Sequence, residues 1–492
     1  MIVNPARPAA AALRPSPVWT LVIASAGAFM TCVDTMVVTT ALPVLRVSLH
    51  GSLADLEWTV NAYNLAFACL LLTGAALGDR FGRRRIFCAG LAAFTAASVG
   101  AALAPTVGAL IAARAVQGAA AALVLPLTLT LISDAIPPAK RGRAIGIWGG
   151  VISIGGAVGP VIGGAVAGGL SWQWIFWVNV PVGAMLIPLA AARLRESFGP
   201  STRLDVTGLL LAGTGFLGLT WALVHTSTAG WANGQVIGPL AAGAALIGLF
   251  AWWEHRAPSP MLRLGIFRHR RFVAANGVCF FIYASLFGAV FLMAQFFQSA
   301  QQMSPLQAGL RLLAWTSPGI LAAPIAGRLA ERYGNRPFMA AGLLLHAAGL
   351  AWIAAIASPG LGFASLMVPL IVSGIGVTLV LPTAASDVIT SVPGQDVGIA
   401  SGTNATLREL GGVFGVAVLA AAFNRAGAYA SPATFVAGFR PALWTGVIFA
   451  LAAVVLTAPI QKPARQPDQP DATGHDRDLL PASGKPAAGH SG

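Results

Sequence analysis

Leu77-Gly78-Asp79-Arg80-Phe81-Gly82-Arg83-Arg84-Arg85 returns in loosened form as Leu329-Ala330-Glu331-Arg332-Tyr333-Gly334-Asn335-Arg336-Pro337. Both stretches read Leu-small-acid-Arg-aromatic-Gly-x-Arg, and they stand 252 positions apart. A long apolar run leads into each and another leads out. Charge at that density is too costly for hydrocarbon, so each stretch belongs at a membrane surface between two crossings. Gly82 suits a tight reversal that a residue with a Cβ resists. Recurrence of the turn at this interval predicts a chain made of two similar halves.

The rest of the chain agrees. Its 492 residues are 56% hydrophobic and only 9% charged, with a mean hydropathy of +0.76. A soluble domain carries about 25% charged residues, so a soluble multidomain enzyme is excluded. A membrane-crossing helix needs about 20 mostly apolar residues. Fourteen such runs fall between residues 18 and 460, one of them at 308–330. They are continuously apolar rather than alternating, which predicts helices and not a barrel. The expected fold is an all-α integral membrane protein with fourteen crossings. It divides into a tail at 1–17, a six-helix bundle at 18–193, two inserted helices at 205–254, a second six-helix bundle at 272–460 and a tail at 461–492. The last segment, rich in Pro, Asp, Gly and Ala, reads as disordered. The first apolar run follows Arg7 and Arg14 and is too long for the core of a signal peptide, so it reads as an uncleaved first crossing.

The net charge of +14 and pI of 11.0 would ordinarily suggest nucleic acid. The positions of the charges decide otherwise. With the N-terminus inside, Arg80, Arg83, Arg84, Arg85, Lys140, Arg141, Arg143, Arg270, Arg271, Arg332 and Arg336 all fall on the inner side, while Arg46, Arg425 and Arg440 fall outside. That bias places both termini in the cytoplasm and makes the lipid bilayer, not nucleic acid, the partner. No C-x-x-C joins the four cysteines, and the seven histidines lack metal spacing. Gly213-Thr214-Gly215-Phe216-Leu217-Gly218 spells G-x-G-x-x-G but lies inside an apolar run, and no P-loop sequence exists. No cofactor and no metal are expected. Outside the Asp79–Arg83 loop no cluster of polar groups stands ready for catalysis, so an enzyme is not expected either.

Of the 16 acidic residues, Asp34 and Glu409 alone lie well inside apolar runs, where acids default to function. Asp34 is about eight residues from the outer end of the first run, and Arg114 about seven from the outer end of the fourth. At 1.5 Å per residue both sit roughly 10–12 Å deep, close enough in level to pair. Burial and a guanidinium act on a carboxyl in opposite senses, which leaves a group able to change protonation. A static buried ion pair is the competing reading. Glu409 follows Arg408 and precedes Gly411 and Gly412; it is a candidate second acid, or the pair satisfies local partners. Gly155, Gly159 and Gly163 recur every four residues, with Pro160 and Gly164 beside them, so one helix face lacks bulk and admits a close neighbour. Pro160 also removes a backbone donor.

Taken together these stretches resemble the major facilitator superfamily, and within it the fourteen-span drug:proton antiporter branch. The 77–85 loop is similar to the superfamily signature. Val33-Asp34-Thr35-Met36-Val37-Val38 with Ala41-Leu42-Pro43 resembles the branch's first-span motif, and Arg114-Ala115-Val116-Gln117-Gly118 its fourth-span motif. Gly159-Pro160-Val161-Ile162-Gly163-Gly164 resembles the fifth-span antiporter motif. Trp172-Gln173-Trp174-Ile175-Phe176 with Asn179-Val180-Pro181 resembles the entry to the sixth span. The likeness covers about residues 18–460. Ala75 stands where the loop motif usually opens with Gly, and the second copy keeps Gly327 but has Glu331 for Asp and loses the arginine run. The resemblance implies an exporter of the multidrug or antibiotic type in a bacterial plasma membrane. It would use alternating access and be driven by the proton gradient, with a small molecule and protons as partners, and would work as a monomer. It implies proton coupling at Asp34, Arg114 and Glu409, a cytoplasmic gate at Asp79, Arg80, Gly82 and Arg83, and a pliable contact between bundles at Gly155, Gly159, Pro160, Gly163 and Gly164. A narrow exporter of one host-made metabolite is the alternative on the same fold.

Overall fold

Ser52 opens the second helix by accepting from the Asp55 amide, and the Asp55 carboxylate accepts from the Ser52 amide at 2.8 Å. Ser304 with Gln307 and Ser431 with Thr434 build the same reciprocal start, and Thr106 accepts from the Ala109 amide. Each arrangement satisfies backbone donors that a helix leaves unpaired. All four lie at one end of the molecule, here the cap end. The opposite end, which carries the Asp79–Arg83 stretch, is the loop end.

The computed structural model describes residues 16–199, 205–230, 232–258, 260, 262, 264–319, 322, 330, 333–393 and 397–460. The helices are α1 (Pro17–Ser48), α2 (Leu53–Phe81), α3 (Arg83–Ala102), α4 (Val107–Ala135), α5 (Pro138–Gly169), α6 (Trp174–Trp177), α7 (Asn179–Arg193), α8 (Val206–Ala229), α9 (Gly234–Arg256), α10 (Arg270–Gln295), α11 (Pro305–Thr316), α12 (Asn335–Ile356), α13 (Phe363–Thr390), α14 (Val397–Ala426) and α15 (Pro432–Leu456). No strand occurs among the described residues. Among the described residues twelve helices are long and apolar enough to cross a membrane, or thirteen if Ala54–Leu71 and Thr73–Phe81, bent by 50° at their break, form one crossing. Gly74 lies beside that break, where a Cβ would meet the backbone of Ala122 in α4.

The expected count of fourteen is thus not confirmed among the described residues. Within the run at 308–330 a helix spans Pro305–Thr316 and Pro318, Gly319, Ala322 and Ala330 are also helical, while residues 320–321 and 323–329 lie outside the described ones. So do residues 1–15 and 461–492, expected as tails. Membrane embedding itself is plain from the packing. In α9 only 17% of the most apolar window is buried within the protein, against 67% across Arg270–Ala300. Apolar helices this uncovered need hydrocarbon around them. The chain is a multi-pass membrane protein.

In the first half α1 packs on α5, and α2 and α3 pack on α4. In the second, α10 packs on α14 and α15, and α12 on α13 and α15, while α8 packs on α9. Between the halves, α5 meets α11 and α2 meets α14. The core shows where they join. At the cap end a single apolar cluster holds Val37 and Leu42 together with Phe291, Phe297, Leu419 and Phe439. Toward the loop end the core splits. One cluster, with Phe87, Phe94 and Leu127, draws its buried residues from the first half; another, with Phe272, Leu343 and Val388, draws them from the second. The halves are sealed together at the cap end and part toward the loop end.

Candidate functional site

Asp34 of α1 and Arg114 of α4 are each 1% exposed and form an ion pair through Oδ2 and Nη1. Around them stands a polar shell. Asn179 Nδ2 donates to Asp34 Oδ1 at 2.8 Å and Gln117 Nε2 donates to the same oxygen at 3.3 Å. Arg114 Nη1 also donates to Gln117 Oε1 at 2.9 Å, Arg114 Nε to the Thr59 carbonyl at 3.3 Å, and Gln117 Nε2 to Ser98 Oγ at 2.8 Å. The guanidinium carbon lies 4.3 Å from the Tyr63 ring centre. Five helices converge here because of local spacing. Arg114 and Gln117, three residues apart, share a face of α4. Gly118 lets that face touch α2, since a Cβ there would overlap the Tyr63 carbonyl. A buried carboxylate is tolerable only when paired and hydrogen-bonded, and Asp34 is both.

At the loop end Asp79 Oδ1 accepts from Arg83 Nε at 2.8 Å, and the Arg83 guanidinium also pairs with Asp134 at the end of α4. Gly82 has φ +106°, the backbone that favours glycine, between α2 and α3. Arg80 does not join the bridge: it is exposed, its guanidinium 5.2 Å from the Phe81 ring centre. Residues 194–199, leading toward α8, strap over this turn. The Arg83 amide donates to the Ser197 carbonyl at 2.9 Å, the Gly199 amide to the Asp79 carbonyl at 3.0 Å, and the Arg84 amide to Glu196 Oε1 at 3.0 Å. The second half repeats the plan. Gly334 has φ +85°, and Asn335 Nδ2 donates to Asp387 Oδ1 at 3.1 Å, as Arg83 reaches Asp134. Arg271 of α10 pairs with Asp387 as well.

The glycine face of α5 does two jobs. Gly155 and Gly159 seat Phe29, Val33 and Met36 of α1, and a Cβ on Gly163 would overlap Thr40 and Val37. That face therefore packs within the first half and not between halves, which corrects the expectation for these three residues. Contact with the other half falls to the neighbours: a Cβ on Gly164 would overlap the Pro305 carbonyl, and one on Gly309 the Pro160 carbonyl. Glu409 joins neither the Asp34 network nor the loop. It is partly exposed on α14, within electrostatic reach of Cys32 and Tyr63 in the first half and Tyr283 in its own. Arg408 turns away to stack over Tyr283 at 4.6 Å. Among the described residues no three His, Cys, Asp or Glu side chains are grouped to hold a metal.

The family model described as Major Facilitator Superfamily matches residues 24–416 and 275–487. The chain belongs to the major facilitator superfamily. Its relatives are export and resistance proteins. It is 34% identical over 416 residues to the tetracenomycin C resistance and export protein of Streptomyces glaucescens, covering 83% of this chain and 76% of that one. It is 35% identical over 455 residues to the cephamycin export protein CmcT of Amycolatopsis lactamdurans, covering 90% and 93%. It is 34% identical over 402 residues to the multidrug resistance protein Stp of Mycobacterium tuberculosis, covering 81% and 74%. Among solved structures, a POT family transporter in complex with a thioalcohol-conjugated peptide aligns with a TM-score of 0.68 at 13% identity, over 90% of this chain and 96% of that one. This likeness concerns the fold alone. The family and the relatives' names make this major facilitator a transporter of the drug-exporter type, acting on small molecules, rather than an enzyme.

Gln117 and Asn179, which donate to Asp34, and Ser98, which accepts from both, carry no charge, so charge within apolar runs does not reveal them. Gln117 and Asn179 did lie inside the quoted motif stretches. Asp134, Asp387 and Arg271 sit at helix ends, where charge is ordinary, and nothing but the fold pairs them.

Proposed function

We propose that this chain is a proton-coupled exporter, a drug:proton antiporter that expels lipophilic or cationic drugs and antibiotics by alternating access. The observation that carries the reading is the Asp34 network: a carboxylate buried on α1, a helix that also touches α10 and α11 of the second half, held by a guanidinium and two carboxamides of the first half. Protonating Asp34 removes the charge that holds Arg114, and binding of substrate and of proton then become alternatives at one place. Glu409, facing the same region from the second half, is the second candidate. The halves sealed at the cap end and parted at the loop end correspond to the state open to the cytoplasm. In this reading the loop end is cytoplasmic, both termini lie there, the membrane is a bacterial plasma membrane, and a single chain suffices. The Arg83 bridges to Asp79 and Asp134 form the gate at that end, remade in each cycle. The proton gradient, with about 2.3 kcal/mol per charge per 100 mV from the electrical part, drives the cycle without a cofactor.

A second reading keeps the mechanism and narrows the cargo to one host-made antibiotic or metabolite. The names of the tetracenomycin C and cephamycin relatives favour it. The test of both is efflux of a cationic dye from energised cells, with wild type beside Asp34→Asn. Export that stops on collapse of the proton gradient and is lost in a correctly inserted Asp34→Asn supports the antiporter. An equally active Asp34→Asn refutes coupling at this residue. A wild type that moves no dye but protects cells against one antibiotic leaves the narrow reading in place.

A further inference from the structure

Glu57, Asn61 and Asn64 of α2 are 0%, 0% and 1% exposed. None of their side-chain polar atoms, two carboxylate oxygens and two complete carboxamides, finds a partner among the described residues. Buried polar groups are nearly always satisfied, and an orphaned set calls for an explanation. The three are not scattered. At 100° per residue, Glu57, Asn61, Asn64 and Ala68 fall within about 60° of one another on the helix. Thr59 and Tyr63, which serve Arg114, point the other way. The Ala68 carbonyl accepts from Thr406 at 3.3 Å, and Ala68 and the adjoining Leu65 pack on Leu410 and Val413. The face of α2 that carries the stripe is thus, at its lower end, held against α14 of the second half.

That contact lies near the middle of both helices, and the stripe runs from it toward the cap end, where the halves are closed. Above the stripe, Arg46 lies 3.7 Å over the Tyr429 ring, the Tyr429 hydroxyl bonds to Gln295, and Gln298 Nε2 donates to the Thr40 carbonyl at 2.7 Å. The Arg46–Tyr429 and Gln298–Thr40 contacts join one half to the other, and Gln295 holds Tyr429 in place for the first of them. When the cap end opens, α2 and α14 part and the stripe comes free with its hydrogen-bonding capacity unspent.

We propose that Glu57, Asn61 and Asn64 form an outward-presented binding face for a protonated amine on the departing substrate, sealed in this conformation and exposed in the opposite one. The chemistry of the three selects the ligand. A carboxylate balances one positive charge, and two carboxamide oxygens accept from the ammonium or from a neighbouring hydroxyl or amide. Strung over seven residues, about 10 Å of helix, they suit an elongated organic cation better than one bare metal ion. The face differs from the Asp34 network, which lies on the far side of the same helix. It deepens the exporter reading and rests on it.

The test is accessibility. The full-length protein carries Asn61→Cys, or Asn64→Cys should the first fail to insert, with the four native cysteines replaced by alanine. Right-side-out vesicles are treated with a membrane-impermeant cationic thiosulfonate. Labelling from the outer face is expected, slowed about fivefold or more by ethidium, the lower end of usual coupling between two ligands. Adding Glu57→Gln is expected to abolish the slowing while leaving labelling intact. Labelling from the inner face alone, or from neither face in a variant that still exchanges ethidium, overturns the outward exposure. Labelling that ethidium never slows, or slows equally with Glu57→Gln, overturns the amine assignment. Gradient-driven ethidium efflux, measured on the same vesicles, judges the antiporter reading separately: its loss alongside outer labelling and protection would sink coupling and leave the face standing.

Discussion

Removing Arg114 alone should damage the protein more than removing the whole ion pair. In Arg114→Met the stem volume is kept, but Asp34 retains just two amide donors, Asn179 at 2.8 Å and Gln117 at 3.3 Å, with its side chain wholly buried. Breaking one partner of a buried pair costs about 3–5 kcal/mol, because a charge is left in a medium that cannot solvate it. Asp34→Asn keeps the shape and leaves the guanidinium bonded to Gln117 Oε1 and the Thr59 carbonyl, so about 1–3 kcal/mol is expected. In the double variant neither charge remains, and the carboxamide introduced at position 34 can still accept from Asn179. Its cost should therefore fall short of the summed single costs by about 3 kcal/mol, more than Asp34→Asn costs by itself, which leaves it below Arg114→Met alone. Urea unfolding in mixed micelles, followed by circular dichroism, measures all four corners of the cycle. Strictly additive costs would refute the claim that these side chains act as one buried pair. Transport gives a second readout: the double variant should fold and still fail to export.

Two further outcomes follow from the same geometry. Gly118→Ala pushes a methyl into the Tyr63 carbonyl and should destabilise by about 1–3 kcal/mol, whereas Gly108→Ala, with nothing within 4 Å, should stay within about 0.5 kcal/mol in the same unfolding assay. Asp134→Asn weakens a partly exposed bridge to Arg83 and should change stability by less than about 1 kcal/mol; dye efflux should nevertheless slow, and an unchanged efflux rate would remove the bridge from the gate.

What could be read from the sequence was what is rare in hydrocarbon. Charge is rare there, so Asp34 and Arg114 stood out, and opposite helix directions brought them to one level. Bulk is missing at Gly155, Gly159 and Gly163, so a close helix contact was legible; that the neighbour is α1 and not the other half was not, because spacing describes one face and says nothing of its partner. Neutral polar residues are common in membrane helices, which hid Gln117, Asn179, Asn61 and Asn64 despite their burial, while Glu57 stands at the edge of its apolar run, where charge is ordinary. The strap at 194–199 has no periodicity to announce it. Arg80 matched the loop pattern by type, yet its position on the turn points it away from Asp79 and Asp134.

The two halves share a plan but not a chemistry. The offset that superimposes the loop motifs puts Leu286 and Leu366 where the first half has Asp34 and Arg114. In place of an ion pair the second half buries a neutral knot. His346 bonds to Ser285 Oγ at 3.0 Å and to Ser373 Oγ at 2.8 Å, and Ser285 Oγ donates to the Gly446 carbonyl at 2.8 Å. This ties α10, α12, α13 and α15 together through groups that are all satisfied. A fully satisfied neutral network gives a proton little to alter, whereas one proton on Asp34 rewrites the bonding of Arg114, Gln117 and Asn179 at once. Under the proposed antiport, a gradient would therefore find its main grip in the first half, with the second as the framework against which that half would move. Glu409, on the second half but facing the first, is the exception that such a division needs: a charge on the framework placed where the moving half can feel it.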